Sequence, residues 1–200
     1  MTDLILASAS QTRRRPASAA GLAFRVVPAD VDEDALRRDF GRLDDDLAPA
    51  RMAVVLAAAK AVEVSRRHPR ALVISGDQIL ALGREIATKP ADLAAARDGL
   101  RRLSGRTHQL HSGVALALGG TTVWQHVETA GLTMRPLSDG FIDDYLAKAG
   151  ERICACVGAY ELEGLGIQLF QRIDGDYFTI LGLPLLALLG ELRRRGVLVN

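Results

Sequence analysis

Two spacings of hydrophobic residues alternate along the chain, one typical of strands and one typical of helices. Buried strands are predicted by short apolar runs at residues 4–7, 24–27, 71–74 and 79–82. Apolar residues recur at helical spacing over residues 49–66 and 93–103, and Asp92 is placed to cap the second of these helices. The pattern therefore predicts strands and helices that are mixed along the chain.

Turn and cap residues define the other elements. Gly119 and Gly120 separate two strand-like segments, residues 109–118 and 121–134, and predict a β-hairpin. The remaining predictions are a helix over residues 11–20, an acidic mobile loop with a short helix over 30–46, strands over 153–157 and 167–173, and helices that begin at Ser138 and Pro184. This mixture favours an α/β fold with a mixed β-sheet, in a single domain over residues 1–200.

Composition and charge argue against several classes of protein. The 200 residues are 48% hydrophobic and 24% charged, which allows a buried core and argues against disorder. The net charge of +1 argues against a dedicated nucleic-acid binder, because such proteins usually carry a basic excess. No membrane span or signal peptide is predicted, so the cytoplasm is the expected compartment. Cys154 and Cys156 are expected to form a reduced, partly buried pair on a strand.

The segment SASQTRRR, residues 8–15, has the composition of an anion site. An apolar strand ends in small hydroxyl residues and a helix begins, so backbone N–H groups are left without partners. Arginines on the first helical turn oppose the helix dipole, and a ligand's negative charge would offset that cost. The alternative is an ordinary strand, turn and helix with solvated arginines.

Three charged residues elsewhere suit the same ligand. Asp77 follows an apolar strand, where a carboxylate can hold a divalent cation or deprotonate water; the alternative is a turn aspartate bonded to local backbone. Lys60 lies on an alanine-rich helix face, and Lys89 is held extended by Pro90. For both lysines the alternative is a solvated side chain.

Two further segments complete a hypothetical nucleotide site. Asp32, Glu33 and Asp34 could complete a metal site or lie in a solvated loop. The glycine-rich residues 158–166 could approach a flat base, with Glu163 accepting hydrogen bonds from a purine edge, or form a wide turn. These features share one chemistry, because phosphoryl transfer depends mainly on positioning and charge neutralisation.

The order of these motifs resembles the Maf family of nucleoside triphosphate pyrophosphatases over nearly the whole chain. Eight motifs carry the resemblance: LILASASQTRRR (4–15), PADVDE (28–33), AAAKA (57–61), ISGDQIL (74–80), TKP (88–90), LSGRTH (103–108), GAYELEGLG (158–166) and IDGDYFTILGLP (173–184). The resemblance implies an elongated mixed β-sheet flanked by helices, with two lobes and a central cleft as in the inosine triphosphate pyrophosphatases. It also implies cleavage between the α- and β-phosphates with Mg²⁺ or Mn²⁺.

The family's functional residues transfer onto this sequence by position. Asp77 corresponds to the proton acceptor, and Glu33 and Asp77 to the metal-binding carboxylates. The phosphate-side residues correspond to Ser8, Ser10, Arg13, Lys60 and Lys89. Gln78 and Glu163 look like the branch that prefers 7-methyl-GTP rather than dTTP and UTP, and a carboxylate suits the N1–H and N2–H donors of guanine.

Two positions depart from that branch. Thr12 stands where a bulky aromatic residue is frequent, which bears on base recognition, and Pro16 interrupts the usual leucine-rich helix. The alternative functions are a pyrophosphatase that prefers dTTP or UTP and a nucleotide-binding regulator of division or septation without turnover. The expected partner is a nucleoside triphosphate, without nucleic acid or membrane, and a homodimer is one alternative for the oligomeric state.

Overall fold

The protein is a mixed α/β structure, described by a computed structural model over residues 3–40 and 48–199. The strands are β1 (Leu4–Leu6), β2 (Arg25–Val26), β3 (Leu72–Leu82), β4 (Glu85–Ala87), β5 (Thr107–Leu118), β6 (Thr121–Met134) and β7 (Phe170–Asp174). The helices are α1 (Gln11–Ala19), α2 (Glu33–Phe40), α3 (Ala48–Arg67), α4 (Leu93–Leu103), α5 (Asp139–Ala149), α6 (Tyr177–Ile180) and α7 (Leu185–Arg194).

The seven strands form one mixed sheet in the order β2-β1-β3-β5-β6-β7, with β4 paired to β3. β1 pairs in parallel with β2 and β3, whereas β3 with β4 and β6 with β7 are antiparallel. The adjacent strands β5 and β6 are joined by Gly119 and Gly120 alone, both with positive φ, as the predicted hairpin requires. The predicted α/β class and mixed sheet are confirmed; the elongated shape and central cleft stay predictions.

The chain folds as two compact units. Within the described residues, the first unit comprises the chain up to Gln78, His111–Thr129 and the chain from Asp176 onward. The second unit comprises Ile79–Leu110 and Ala130–Gly175. The first unit contains β1, β2, α1, α2, α3, α6 and α7, and the second contains β4, α4, α5 and β7.

Alternate residues of β1 serve two separate hydrophobic clusters of the first unit. Leu4 and Leu6 pack with residues of α1 and α7, while Ile5 packs with Ala57, Ala61 and other residues of α3. The small side chains of α3 allow close approach to the sheet. A Cβ atom on Gly113 of β5 would overlap the carbonyl group of Ala53 and lie 2.7 Å from Val54 N.

We expect the substitution Gly113→Ala to destabilise the protein by about 3 kcal/mol, because the atoms in its way are helix backbone that cannot move aside cheaply. Gly131→Ala in β6 is the matched control, since a Cβ there meets no atom within 4 Å. Thermal unfolding of both variants measures the difference. Equal melting temperatures for the two variants would contradict this account of how α3 packs on the sheet.

The predicted N-cap residues of α4 and α5 are confirmed. Asp92 accepts a hydrogen bond from Ala95 N at the start of α4, and Ser138 accepts one from Phe141 N at the start of α5. The same two helices are linked by ion pairs from Arg97 to Asp143 and, one turn further, from Arg101 to Asp139. In the first unit α7 begins directly after Pro184, again as predicted.

Two predicted strands are wrong or displaced. Residues 153–157 are not a strand, because a 3₁₀ helix spans Glu151–Ala155 and its hydrogen bonds close over three residues, as from Cys156 N to Ile153 O. Cys154 and Cys156 are therefore not on a strand, although both are free and partly buried as predicted. The other predicted strand, 167–173, begins only at Phe170, after a 3₁₀ helix at Leu165–Leu169.

The acidic segment 30–46 contains α2, and residues 41–46 of it lie outside the described part of the chain. Across the described residues, no helix is both long enough and apolar enough to cross a membrane.

Candidate active site

Asp77 and Gln78 lie inside the long strand β3, not in a turn. The sequence predicted two short strands separated by SGDQ, but Leu72–Leu82 is continuous. Asp77 is 5% exposed, so its carboxylate is held against the interior of the first unit. A Cβ atom on the neighbouring Gly76 would lie 3.2 Å from Gly182 O and 3.3 Å from Arg13 Cδ. Glycine therefore lets the strand approach both groups closely.

Lys60 of α3 connects two carboxylates. Its Nζ lies 2.7 Å from Asp77 Oδ1 and 2.7 Å from Glu33 Oε1, and its side chain is 12% exposed. The second oxygen of Asp77, Oδ2, is buried and accepts no hydrogen bond from the described residues. A buried carboxylate oxygen without a protein donor is suited to an external cation or a water molecule.

The ion pairs set the charge state of Glu33. Burial alone would raise its pKa, but the hydrogen bond and charge of Lys60, with a smaller contribution from Arg37, outweigh burial and keep the pKa below its usual value. Glu33 is therefore ionised near neutral pH. Lys60 was predicted to face phosphate; the structure gives it these two carboxylate partners, and its contact with phosphate stays a prediction.

Arg13 of α1 makes two hydrogen bonds through its guanidinium group. Its Nε donates to Gly182 O at 2.8 Å, and its Nη1 donates to Ser8 Oγ at 3.3 Å. Burial lowers the pKa of Arg13, and the charges of Asp77 and Glu33 oppose that effect. A half-buried guanidinium of this kind favours an anionic ligand.

The hydroxyl groups of SASQTRRR lie around the start of α1. Ser8 Oγ accepts a hydrogen bond from Ser10 N at 3.3 Å, and Ser10 Oγ lies 2.8 Å from Thr12 Oγ1. Ser10 is the N-cap residue, yet its side chain does not cap the helix. The helix begins at Gln11 and continues through Pro16, while Arg14 and Arg15 are exposed.

Gln78 is held by its amide nitrogen. Nε2 donates to Ser112 Oγ at 3.0 Å, to Thr179 O at 3.1 Å and to Ile180 O at 3.0 Å. Backbone carbonyls accept only, so these contacts identify the nitrogen side of the amide. The carbonyl side of Gln78 consequently points away from this network.

Lys89 and Glu163 belong to the second unit. The charges of both act on the thiol of Cys156, whose pKa is raised chiefly by burial and then by Glu161. Glu163 is exposed, and Lys89 lines a cavity of about 470 Å³. That volume is in the range of small-molecule sites.

Hydrogen bonds of Tyr145 and Tyr160 hold the loop on the wall of this cavity. Gly158 and Ala159 line the cavity, and Ala159 has a φ of 54°, which is unusual for a residue with a side chain. The hydroxyl group of Tyr145 donates a hydrogen bond to Ala159 O at 3.0 Å, and the hydroxyl oxygen of Tyr160 lies 2.8 Å from His108 Nε2. Burial lowers the pKa of His108 to about 4, so this ring is neutral near pH 7.

Eight of the ten predicted site residues lie in the first unit: Ser8, Ser10, Thr12, Arg13, Glu33, Lys60, Asp77 and Gln78. Direct contacts join Glu33, Lys60 and Asp77, and a separate set joins Ser8, Ser10, Thr12 and Arg13. Sequence analysis missed the residues that hold Gln78 and Arg13, namely Ser112, Thr179, Ile180 and Gly182. The motif at residues 173–184 marked three of them, but nothing in the pattern assigned it a task.

The carboxylates fit a magnesium-type ion better than an all-protein metal cage. Among the described residues no group of three or more His, Cys, Asp or Glu side chains could hold a metal. Mg²⁺ usually takes one or two carboxylates and completes its shell with water and substrate phosphates. The free Oδ2 of Asp77 and the carboxylate of Glu33 match that donor set.

A family model described as Maf-like protein matches residues 3–195. The chain belongs to the Maf-like family. It is 53% identical over 195 residues to a 7-methyl-GTP pyrophosphatase of Rhizobium meliloti, covering 98% of this chain and 97% of the relative. It is also 53% identical to a 7-methyl-GTP pyrophosphatase of Mesorhizobium japonicum, covering 99% of each chain. A nucleoside triphosphate pyrophosphatase of Paramagnetospirillum magneticum is 50% identical over 98% of this chain and 100% of the relative.

Among solved structures, a HAM1 protein from Coxiella burnetii aligns with a TM-score of 0.45 and 16% identity, over 67% of this chain and 73% of that one.

Proposed function

We propose that this Maf-like protein hydrolyses a nucleoside triphosphate between the α- and β-phosphates and prefers a base like that of 7-methyl-GTP. The observation that carries the proposal is the buried Asp77 carboxylate, with one oxygen bound to Lys60 and the other without a protein donor. Full-length relatives that carry pyrophosphatase names support the same reaction. The proposed products are a nucleoside monophosphate and pyrophosphate.

In the proposed reaction a water oxygen attacks the α-phosphorus, and the bond from that phosphorus to the α–β bridging oxygen breaks. Asp77 orients this water and takes its proton, and the electron pair of the broken bond leaves with pyrophosphate. Arg13, with the hydroxyl and backbone groups of Ser8 and Ser10, holds phosphate oxygens. Lys60 and Lys89 neutralise negative charge, and developing charge is where preorganised cations contribute most.

Glu33 and Asp77 would hold a divalent cation, Mg²⁺ or Mn²⁺. When bound, such an ion supplies charge neutralisation on the phosphates and lowers the pKa of coordinated water. The protein's own part is to hold the two carboxylates near one another, through their contacts with the same Lys60 Nζ.

Base preference is assigned to Gln78, Glu163 and Thr12. Acceptor groups at Gln78 and Glu163 suit the N1–H and N2–H donors of guanine, and a carboxylate also suits the positive charge of a methylated ring. Thr12 in place of a large aromatic residue leaves less stacking surface. The cytoplasmic location and the oligomeric state of the protein stay predictions.

Pyrophosphate release over a panel of triphosphates tests the proposal. We expect 7-methyl-GTP to give a higher kcat/KM than GTP, dTTP, UTP or ATP when Mg²⁺ or Mn²⁺ is present, and chelation to abolish release. A preference for dTTP and UTP would refute the assignment of Gln78 and Glu163. Tight binding of 7-methyl-GTP without release would favour the alternative function, a nucleotide-binding regulator.

A further inference from the structure

The backbone carbonyls of the segment Thr179–Gly182 accept hydrogen bonds from the side chains of Arg13, Gln78 and Ser112. The segment covers the end of α6 and the turn before α7, inside the motif at residues 173–184 that has no task in the proposed reaction. Thr179 is fully buried, and Gly182 has a φ of 90°. We refer to Thr179–Gly182 as the anchor turn.

The anchor turn fixes the amide of Gln78. Two of the three acceptors around Gln78 Nε2 are its backbone carbonyls, those of Thr179 and Ile180. The third acceptor, Ser112 Oγ, donates its own proton to Thr179 O at 2.6 Å, and therefore faces Gln78 with a lone pair. Both hydrogens of the amide are thus engaged inside the protein. Gln78 can offer a ligand only its carbonyl oxygen.

The same turn fixes Arg13. Gly182 O accepts from Arg13 Nε at 2.8 Å, and a Cβ atom on Gly182 would lie 3.3 Å from Arg13 Nε and 3.7 Å from Gln78 Cβ. Both side chains therefore pack against this one glycine. Its positive φ is the conformation that aims the carbonyl at the guanidinium without a side chain in the way.

The anchor turn is itself held from behind. Thr179 N donates to Asp176 Oδ2 at 2.8 Å, and Thr179 Oγ1 lies 2.6 Å from Glu128 Oε2 on β6. Side-chain bonds at a buried threonine restrict the turn to one arrangement. The carbonyls that receive Arg13 and Gln78 are consequently fixed relative to each other.

We propose that the anchor turn and Ser112 are the shared positioning element of the nucleotide site. They hold Arg13 for phosphate and hold Gln78 as an obligate hydrogen-bond acceptor, which selects a base edge that carries donors, such as the N1–H and 2-amino group of guanine. This inference rests on the proposed function for the identity of the ligand. Phosphate binding and base choice then both depend on the backbone of the anchor turn.

Binding of the two products, measured by calorimetry with Mg²⁺ on the whole protein, tests the inference without turnover. The probes are pyrophosphate for the phosphate side, and 7-methyl-GMP and dTMP for the base side. Gly182→Ala is the main variant, because it strains the turn and crowds both side chains. Gly21→Ala is its control, since Gly21 also has positive φ, 81°, but a Cβ there meets no atom within 4 Å.

For Gly182→Ala we expect affinity for pyrophosphate to fall about tenfold, and the preference for 7-methyl-GMP over dTMP to fall by a similar factor, as for the loss of one charged or well-aligned hydrogen bond. Gly21→Ala should change neither. A Gly182→Ala protein that keeps either property at the wild-type level would overturn the shared role.

Ser112 gives a second, independent pair of variants. We expect Ser112→Ala to weaken 7-methyl-GMP binding about threefold to tenfold and pyrophosphate binding by a smaller factor. The hydroxyl contacts Gln78 directly and also donates to Thr179 O, whereas Arg13 is bound to Gly182 O. Ser112→Thr, which keeps the hydroxyl, should restore most of the affinity. Unchanged 7-methyl-GMP binding in Ser112→Ala overturns the inference even where Gly182→Ala does not fold.

Pyrophosphate release by the wild type and product binding by the variants test the proposed catalysis and the anchor turn separately. Wild-type protein that binds both products but releases no pyrophosphate from triphosphates would refute the proposed catalysis. Product binding by Gly182→Ala and Ser112→Ala would still decide the role of the anchor turn. Wild-type protein that releases pyrophosphate, with variants that bind like wild type, would retain the catalysis and refute the anchor turn.

Discussion

The variant Asp77→Asn is expected to lose pyrophosphate release by about 10²- to 10³-fold in kcat, with a much smaller change in KM. The amide keeps the shape of the carboxylate but cannot take a proton from water, and it is a poor ligand for a hard cation. Asp77 is nearly fully buried, so solvent does not replace the lost charge. Initial rates with 7-methyl-GTP at saturating Mg²⁺ measure the effect.

Asp143→Asn is the control for this substitution. Asp143 makes a hydrogen-bonded ion pair with Arg97, but on the surface of the second unit, where its side chain is 54% exposed. Its removal should leave kcat within about twofold, because exposed pairs contribute little to stability or shape. An Asp77→Asn protein that turns over every tested nucleotide at the rate of Asp143→Asn would exclude Asp77 as the catalytic base. Thermal unfolding of both variants shows whether a loss of rate follows from a loss of folding.

Local chemistry made several elements predictable from the sequence. Asp92 and Ser138 each accept the backbone hydrogen bond expected of an N-cap, because capping involves only neighbours along the chain. The hairpin at Gly119 and Gly120 was equally predictable, because two adjacent glycines supply the positive φ values that a tight turn needs.

Elements with weak local signals were mispredicted. A short apolar run such as residues 153–157 is compatible with a strand or with a buried 3₁₀ helix. The 3₁₀ helix is what forms, and Ile153 is the one residue of this run that is buried. The continuity of β3 through Gly76 was equally hidden. Glycine and aspartate ordinarily favour turns, but here glycine serves the close approach of Gly182 O.

The charged residues of the candidate site were predictable from the sequence, whereas their hydrogen-bond partners were not. The charged residues could be named from motifs, because each carries a chemistry that a triphosphate needs. Their partners could not be named, because Gln78 is bound by carbonyls 101 and 102 positions further along the chain. Backbone acceptors have no residue signature, so only the folded structure identifies them.

The contacts of Lys60 with two carboxylates also could not be predicted from the sequence, and their loss is expected to lower the stability of the protein. We expect Lys60→Met to lower the free energy of unfolding at pH 7 by about 3 kcal/mol, in the range for breaking a buried ion pair by removing one partner. The substitution leaves two carboxylates, Asp77 and Glu33, facing the same space without a cation between them. For a chain of this length the expected drop in melting temperature is roughly 6–12 °C.

The control is Lys148→Met on α5. Lys148 pairs with Asp144 at 2.6 Å, but its side chain is 61% exposed, and the variant should melt within about 1 °C of wild type. A second comparison isolates the carboxylates: in a background of Glu33→Gln and Asp77→Asn, the further change Lys60→Met should cost much less. A full loss of stability in that background would mean that Lys60 acts through packing rather than charge.

The stability that Lys60 contributes is expected to depend on pH through the ionisation of Glu33. In the wild type the pKa of Glu33 lies below its ordinary value of 4.5, so its ionised form stabilises the fold above that pH and loses this contribution as the pH falls through the lowered pKa. Without Lys60, only the smaller contribution of Arg37 opposes burial, so the pKa of Glu33 is higher than in the wild type and its ionised form stabilises the fold less at neutral pH. The gap in melting temperature between wild type and Lys60→Met should therefore be widest near pH 7 and narrow below about pH 4.5. A gap that is constant from pH 7 to pH 3, or that widens as the pH falls, would contradict an electrostatic role for Lys60.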